Sequence, residues 1–257
     1  MSDTLDAELA ARSVLAGTAT ATPKSADGAV EIIRKIKVAR DNACKNLTSA
    51  VIALKAVIVN TPSALREQLD VLGDKALIQR YTGFRPGRVD DQISSTKHTL
   101  RALARRWEFL DGEVKNHDVV IAPLAKACSP TQCDGFGIGR DAAAELLIVF
   151  GDNPERVHSE AAFAKLCGVA PIPASSGMTH RHHLAWNGLR QANAAIYRTA
   201  IVRMHHHEPT KYYVARRTAE GLSKQGVNRC LQRFIARQVY GRVMTDFHAT
   251  SAPTVIA

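Results

Sequence analysis

The longest hydrophobic pattern in the chain lies between residues 93 and 124, where seam positions recur in alternating steps of three and four. Such steps are typical of the seam of a coiled coil. A second stretch, from Gly28 to about Asn60, has a similar periodicity. The pattern predicts two long helices that pair antiparallel in one chain or pair between subunits, with His117 as a polar seam residue that helps to fix register. The seam positions are Ile93, Thr96, Leu100, Leu103, Trp107, Leu110, Val114, His117, Ile121 and Leu124.

Shorter helices flank this region, and local signals mark their ends. A first helix is predicted over 2–17, with Gly17 as its end, and another over 65–81. Further helices are expected after a Gly-x-Gly turn within 134–150, from Ser159 to Gly168, at 188–207, at 212–219 and from Ser223 onward. The predicted fold class is mainly α: a long helical coiled-coil region followed by a compact helical domain that contains a helix-hairpin-helix-like turn.

The charge balance favours a polyanion as partner. The chain has 257 residues and a net charge of +10, and a basic surface attracts nucleic acid, although some soluble proteins simply run basic. Five cysteines without a Cys-x-x-Cys pair are typical of reduced thiols rather than of a disulfide scaffold or a zinc ribbon. We expect no membrane span and no signal peptide, and therefore a cytoplasmic location.

The chemistry of the chain concentrates in the segment after residue 168. Prolines hold the backbone extended there, and Ser175 and Ser176 precede Gly177 in a tight turn. Arg181 and Arg190 follow, together with a cluster of histidines. A hydroxyl beside fixed positive charge is what attack on a phosphodiester requires. The alternative is a Ser-Gly loop with a solvated basic flank.

Two further segments are candidates for phosphate contact. Backbone amides at Gly137 and Gly139, with Arg140 beside them, open an apolar helix and could hold a phosphate; a glycine hinge before a core helix is the alternative. In the last helix three arginines recur every four residues with no acidic residue four positions away, which favours nucleic-acid contact. These arginines are Arg229, Arg233 and Arg237.

Side chains near residue 190 and the histidine run allow further interpretations. Gln191 and Asn193 begin a helix with Arg190 and could reach phosphates or bases. The histidines at 205–207 resemble a metal-binding tract, yet consecutive histidines on a helix point in different directions. A structural or solvated helix end is therefore the better interpretation of that run.

Residues 150–204, which contain the run GVAPIPASSGMTHRHHLAWNGLR, resemble the C-terminal domain of insertion-sequence 110 family transposases. The resemblance continues through YVARRTAEGLSKQGVNRCLQRFIARQVY and covers about residues 135–245. Members of this family are DEDD-type DNA recombinases that depend on a serine. The resemblance implies that the nucleophile is Ser175 or Ser176, and we favour Ser176 because it directly precedes Gly177.

The N-terminal segment SDTLDAELAARSVLAG is similar to the family segment that holds the last two acids of a RuvC-like DEDD domain. Asp3 and Asp6 match those two positions, and two carboxylates on one helical turn can contribute to a Mg²⁺ site. Acids in a first turn also favour the helix dipole, which is the alternative. The family's first Asp and its Glu have no counterpart here. We therefore expect an N-terminally truncated chain with an incomplete magnesium site.

The resemblance implies a domain layout and a function. We expect a RuvC-like remnant and linker at 1–27, a coiled-coil region at 28–127, a serine transposase domain at 128–248 and a disordered tail at 249–257. The implied function is strand cleavage and exchange by an insertion-sequence transposase, guided by a noncoding RNA and acting on DNA as a homo-oligomer near the bacterial nucleoid. The alternatives are a non-catalytic nucleic-acid-binding remnant and a helical scaffold whose basic surface meets other proteins.

Overall fold

The computed structural model describes residues 3–19, 22–61, 66–67, 73–173, 182–184 and 188–251. These residues are mainly helical, as the apolar periodicity predicts, and they form two compact units. One unit consists of residues 1–32 and 125–257, and the other of residues 33–124. Each unit is described by itself below.

The helices and strands follow in chain order. The first helices are α1 (Asp3–Leu15), α2 (Ala29–Val59), α3 (Asp74–Thr82), α4 (Gln92–Cys128), α5 (Pro130–Cys133) and α6 (Arg140–Phe150). A 3-10 turn at Pro154–Arg156 precedes α7 (Glu160–Leu166) and the two strands β1 (Pro171–Pro173) and β2 (His182–Leu184). The chain then continues through α8 (Arg190–His206), α9 (Glu208–Ala219) and α10 (Lys224–Ser251).

The unit at 33–124 is built on the long helices α2 and α4. Leu54 of α2 packs in a buried cluster with Ile78, Tyr81, Leu100 and Ala104. Arg40 Nε donates to Asp118 Oδ1 at 2.6 Å. Since residue 54 lies beside residue 100 and residue 40 beside residue 118, α2 and α4 run antiparallel within one chain.

The buried face of α4 differs in part from the predicted seam. Leu100 and Ile121 are buried as expected, whereas Ile93 is 43 % exposed. Ala104 and Ala125, which the pattern does not include, are fully buried. Alanine allows close approach of two helices but carries little signal in an apolar pattern.

By length and composition, α2 is also apolar enough to cross a membrane, so the expectation that no apolar run approaches a membrane span is wrong for this helix. Core helices of soluble proteins can have the same length and apolar composition. Ala50 and Leu54 of α2 are buried. The helix also holds Lys37 and Arg40 in ion pairs with Asp41 and Asp118, respectively.

The other unit is centred on the contact between α8 and α10. Helices α6 and α9 also pack on α8, and α5, α7 and α9 pack on α10. Phe150 and Phe163 stack at 4.5 Å between ring centroids, and the Tyr240 hydroxyl donates to the Val157 carbonyl. This core holds α8, α9 and α10 in place, and those helices form the candidate site.

The segment before α2 is attached to this unit through the turn after α6. Asp152 accepts hydrogen bonds from the backbone N–H groups of Val30 and Glu31, at 2.7 and 3.2 Å. Asn153 accepts from the Ser25 N–H and donates to the Pro23 carbonyl, and Lys24 donates to the Ile148 carbonyl. Residues 23–31 are therefore tied to the 148–153 turn by several hydrogen bonds.

Candidate nucleic-acid interface around the serine segment

A two-stranded hairpin brackets the serine segment. Strands β1 and β2 pair antiparallel, with Pro171 opposite Leu184, Ile172 opposite His183 and Pro173 opposite His182. Ser175, Ser176 and Arg181 lie between the strands in sequence and outside the described residues. The pairing of β1 with β2 brings the two ends of that segment close together.

The base of the hairpin is tightly packed. A Cβ atom on Gly188 would overlap the backbone N and Cα of Gly168, and Gly168 itself has a φ of +66°. The Leu189 N–H donates to the Leu166 carbonyl at 2.8 Å. These contacts fix the start of α8 against the end of α7.

Asn193 holds the same junction from the first turns of α8. Its side-chain amide donates to the carbonyl oxygens of Cys167 and Gly168, at 3.2 and 3.1 Å. The amide nitrogen of Asn193 is therefore used by the backbone, whereas contact of this residue with a phosphate or base stays a prediction. Its role is to position the hairpin.

Cys167 lies beside this junction and is fully buried. Burial, with a smaller effect of the Glu145 carboxylate, raises the pKa of the Cys167 thiol to about 12. Because the thiolate is the nucleophilic form, this thiol is inert near neutral pH. None of the five cysteines forms a disulfide in this structure.

The first of two clefts, the α8–α10 cleft, opens between those helices with a volume of about 570 Å³. Its cationic side chains are Arg190, Lys224 and Arg229. Arg190 and Arg229 are exposed, and neither has an ion-pair partner among the residues that the structure describes. Gly168 and Gly188 also line this cleft, so it begins at the base of the hairpin.

The second, the α9–α10 cleft, has a volume of about 750 Å³ and lies on the other side of Arg229. Pro171 of β1 is part of its lining, which places this cleft at the hairpin as well. Two aromatic rings, Tyr213 and Phe234, face each other edge to face at 5.7 Å. The cleft is lined by five arginines: Arg216, Arg217, Arg229, Arg233 and Arg237.

The predicted stripe of Arg229, Arg233 and Arg237 is partly neutralised in the structure. Glu160 at the start of α7 pairs with Arg233 and, at 2.9 Å, with Arg237. The acidic partner comes from another helix, so a search for acids four residues away along α10 does not find it. Arg229 remains the cation of the stripe without a carboxylate partner in the described part of the chain.

The glycine turn at 134–139 joins the short helix α5 to α6. Gly137 has a φ of +76°, and a Cβ there would lie 3.2 Å from Arg203 Cγ and 3.4 Å from the Thr199 carbonyl oxygen. Arg140 is exposed at the first position of α6. Asp141 follows in the same turn and pairs with Arg198 at 2.8 Å, which places a negative charge beside the helix N-terminus. Phosphate binding by Gly137, Gly139 and Arg140 stays a prediction.

Arg203 is a residue that the sequence analysis missed. It is buried, donates to the Phe136 carbonyl at 2.8 Å and donates to Gln238 Oε1 at 2.6 Å. Burial, and to a lesser extent Arg242, lowers its pKa. Arg203 thereby anchors the glycine turn to α8 and α10. Its one signal in the sequence is its place in a predicted helix, directly before the apolar Met204.

The carboxylates matched to a magnesium site do not form one by themselves. Asp3 and Asp6 are exposed in the first turn of α1, a helix that buries none of its residues. Within the described ranges, no group of three or more His, Cys, Asp or Glu side chains could hold a metal ion. Mg²⁺ prefers an octahedral set of oxygen ligands, so two exposed carboxylates do not fit it without further ligands.

The histidine run at 205–207 has a structural role in one of its members. His207 Nδ1 lies 2.8 Å from the Thr210 hydroxyl, and its ring lies 4.7 Å from that of Phe136. His207 therefore joins the end of α8 to the start of α9. His205 and His206 are exposed.

The chain was compared with known proteins and with models of protein families. No curated protein matches the chain. Residues 135–215 match the family model described as Transposase IS116/IS110/IS902 family. The matched range runs from the glycine turn through the hairpin and α8 into α9. Over these residues the chain is similar to insertion-sequence transposases, and DNA is the partner that this similarity implies.

Proposed function

We propose that the chain is an insertion-sequence transposase that cleaves and joins DNA strands through a serine nucleophile. The observation that carries this proposal is the family match over residues 135–215, which includes the Ser-Ser-Gly segment. The two basic clefts that begin at the base of the hairpin support it independently. A phosphodiester backbone is the polyanion that such clefts suit.

The proposed chemistry is a transesterification at phosphorus. The Oγ of Ser176, or of Ser175, attacks the phosphodiester; an Oγ–P bond forms, and the P–O bond to the leaving strand breaks. The serine proton passes to solvent, and the leaving oxygen takes a proton from solvent to become a strand hydroxyl. Attack by a hydroxyl of another strand on the phosphoserine joins the new ends and releases the serine. We propose that Arg181 and Arg190 stabilise the negative charge that develops on the phosphate oxygens.

DNA is expected to lie across the clefts, with Arg229 between them. Arg229 lines both clefts, and it has no carboxylate partner in the described part of the chain. Gly137, Gly139, Arg140, Arg233 and Arg237 are proposed as further phosphate contacts. For Arg233 and Arg237 such contact requires a phosphate to compete with Glu160.

For a magnesium ion, we propose only which side chains would bind it. Asp3 and Asp6 would hold Mg²⁺ together with further oxygen ligands, where the ion would supply positive charge to phosphoryl chemistry. We assign no step to the ion. The truncation expected from the family pattern stays a prediction.

Assembly and RNA guidance are also proposals. Phe109 and Val119 of α4 are 72 % and 68 % exposed, and Ile52 and Val59 of α2 are 64 % and 68 % exposed. We propose that these exposed apolar side chains lie in a contact with a second copy. A homo-oligomer would bring serines and acids of different subunits together. Guidance by a noncoding RNA, and a cytoplasmic location at the nucleoid, follow from the family resemblance and the DNA partner.

The test is a covalent-trapping experiment. The purified chain is incubated with duplex DNA that covers the junctions on either side of its own gene, with and without Mg²⁺ and total host RNA. Wild type is compared with Ser175→Ala, Ser176→Ala and the control Ser95→Ala. Ser95 suits the control because its hydroxyl donates within α4, to the Gln92 carbonyl. Protein–DNA adducts that survive denaturation are separated by gel electrophoresis and located by peptide mass spectrometry.

We expect an adduct that one of the two loop variants abolishes and that Ser95→Ala leaves intact. That outcome would identify the nucleophile. Binding that is sensitive to salt but yields no adduct under any condition would contradict the serine chemistry. It would favour instead the second candidate, a non-catalytic nucleic-acid-binding protein, which the basic clefts alone would support.

A further inference from the structure

The α9–α10 cleft presents an aromatic surface. Phe234 is 45 % exposed even though it lies on a helix whose other faces bury Ile235 and Ala236. Tyr213 meets it edge to face, with an angle of 88° between the rings. A core phenylalanine would normally be covered, so this ring is available to a planar ligand.

Cations surround the same rings. The Arg216 guanidinium carbon lies 5.5 Å from the centre of the Tyr213 ring, and that of Arg237 lies 6.0 Å from the centre of the Phe234 ring. Five arginines line the cleft, and the carboxylates paired with them are Glu160 and Glu220. The cleft therefore keeps a surplus of positive charge.

One donor in this cleft is left unused. The Nε atom of Arg217 is shielded from solvent and has no hydrogen-bond partner among the residues that the structure describes. A buried N–H without a partner loses free energy that an incoming acceptor can restore. Phosphate oxygens accept from guanidinium groups through charge-assisted hydrogen bonds, which are stronger than neutral ones.

We infer that the α9–α10 cleft binds an unpaired nucleotide of a single strand, with its base on Phe234 and its phosphates on Arg217 and Arg229. A ring face beside clustered guanidinium groups matches a base joined to a phosphate. Bases inside a duplex are stacked on each other and offer no free face to Phe234. The cleft volume of about 750 Å³ lies in the usual range of ligand pockets.

Strand exchange on DNA must pass through unpaired nucleotides, so this inference adds a binding site to the proposed function. It rests on that proposed function. It also differs from the duplex contacts proposed for the stripe of α10. The strand could be DNA or RNA, because both carry a base and a phosphate. Separate arms of the experiment distinguish the two.

The experiment measures binding of fluorescent oligonucleotides of about 12 nucleotides, within the span of known single-strand sites. Single-stranded DNA, single-stranded RNA and blunt duplex DNA are titrated with wild type, Phe234→Ala, Phe234→Tyr and the control Tyr212→Ala. Tyr212 suits the control because it lies on α9, is 74 % exposed and does not line the cleft. Thermal melts by circular dichroism verify that each variant is folded.

We expect Phe234→Ala to weaken binding of one or both single strands by about 5- to 100-fold, the range for loss of a base-stacking ring. Phe234→Tyr should restore single-strand binding. Single-strand binding by Tyr212→Ala, and duplex binding by all variants, should stay within about twofold of wild type. A 2-aminopurine base in the strand should be quenched on binding to wild type and not on binding to Phe234→Ala.

Any of the following results would overturn the inference. If Phe234→Ala leaves single-strand binding unchanged, or weakens single strands and duplex equally, the cleft does not read an unpaired base, while the proposed transposase function survives. If wild type binds none of the three nucleic acids, both the inference and the proposed function fail. Poly-glutamate is titrated as a further polyanion. If it binds as tightly as the oligonucleotides, without dependence on Phe234, the cleft suits an acidic protein partner and the inference fails.

Discussion

Gly188 controls the entry of the chain into α8. A Cβ at this position would meet the backbone N and Cα of Gly168, which has no side chain that could move aside. Gly168 in turn has a positive φ of 66°, the left-handed region that glycine adopts at low cost after a helix. The pair of glycines lets two backbone segments touch at the root of the serine hairpin.

Gly188→Ala should therefore destabilise the protein. We expect the free energy of unfolding to fall by about 1–3 kcal/mol, because the added methyl overlaps backbone atoms in a packed junction. Urea denaturation followed by circular dichroism measures the change. The control is Gly241→Ala in α10, where nothing lies within 4 Å of the added carbon. That substitution should stabilise the helix by about 0.5–1 kcal/mol. Equal stability of the two variants would contradict the close packing assigned to Gly188.

Residue roles could be predicted from sequence where the partner is local. A helix start at Ser159 was predicted and is confirmed, and the Ser159 hydroxyl caps α7 by accepting from the N–H of Ala162, three residues on. Asn193 could not be assigned in the same way. Its acceptors, the carbonyls of Cys167 and Gly168, belong to a distant stretch of the chain, and no local pattern announces them.

At the scale of elements, helix α2 is capped by a residue far from it in sequence. Asp152 accepts from two of the first backbone N–H groups of the helix, which otherwise have no partner within it. Its negative charge also complements the positive end of the helix dipole. A Cβ on Gly28 would collide with the Asp152 carboxylate, so glycine at this position allows the contact.

Asp152→Ala should lower the free energy of unfolding by about 1–2 kcal/mol, the range for loss of an N-cap. Urea denaturation measures it. Asp134→Ala is the matched control, because the Asp134 carboxylate forms an exposed ion pair with Lys126 and should cost about 0.5 kcal/mol or less. If the two variants lose equal stability, the carboxylate of Asp152 does not act as the cap of α2.

The elements also differ in how well the sequence predicts them. Both bounds of α8 and the start of α10 lie within two residues of the predicted ones, because the apolar period marks them. No end was predicted for the last helix, and α10 continues to Ser251, into the segment expected to be a disordered tail. The short strands β1 and β2 were not predicted as strands. Each has three residues, too few for a two-residue alternation to be recognised, and their pairing depends on contacts across the serine segment.

At the scale of the whole molecule, a net charge of +10 does not reveal where nucleic acid binds. The structure adds the location of the acids. Glu160 pairs with Arg233 and Arg237, Glu220 pairs with Arg216 and Arg217, and Arg229 between the two clefts has no such partner in the described ranges. The three arginines of the predicted stripe are therefore not equivalent.

This difference predicts how salt affects duplex binding. Each phosphate that a cation neutralises adds about one to the slope of log K against log salt. Arg229→Gln should flatten the slope by about 1, whereas Arg237→Gln should change it less, because Glu160 already offsets that charge. Glu160→Gln should steepen the slope, since it releases two arginines for phosphates. Fluorescence anisotropy of a duplex over a range of salt concentrations measures all three.

The control for charge alone is Lys211→Gln. Lys211 lies on α9, pairs with Glu208 and lines neither cleft, so its loss should leave the slope unchanged. If Lys211→Gln and Arg229→Gln flatten the slope equally, duplex binding follows the net charge of the molecule and not the clefts. If Arg229→Gln alone flattens it, Arg229 contacts the DNA backbone. Adding substitutions of Arg233 and Arg237 should then flatten the slope little further while Glu160 is present, because Glu160 already offsets both charges. In a Glu160→Gln background the same two added substitutions should flatten the slope clearly.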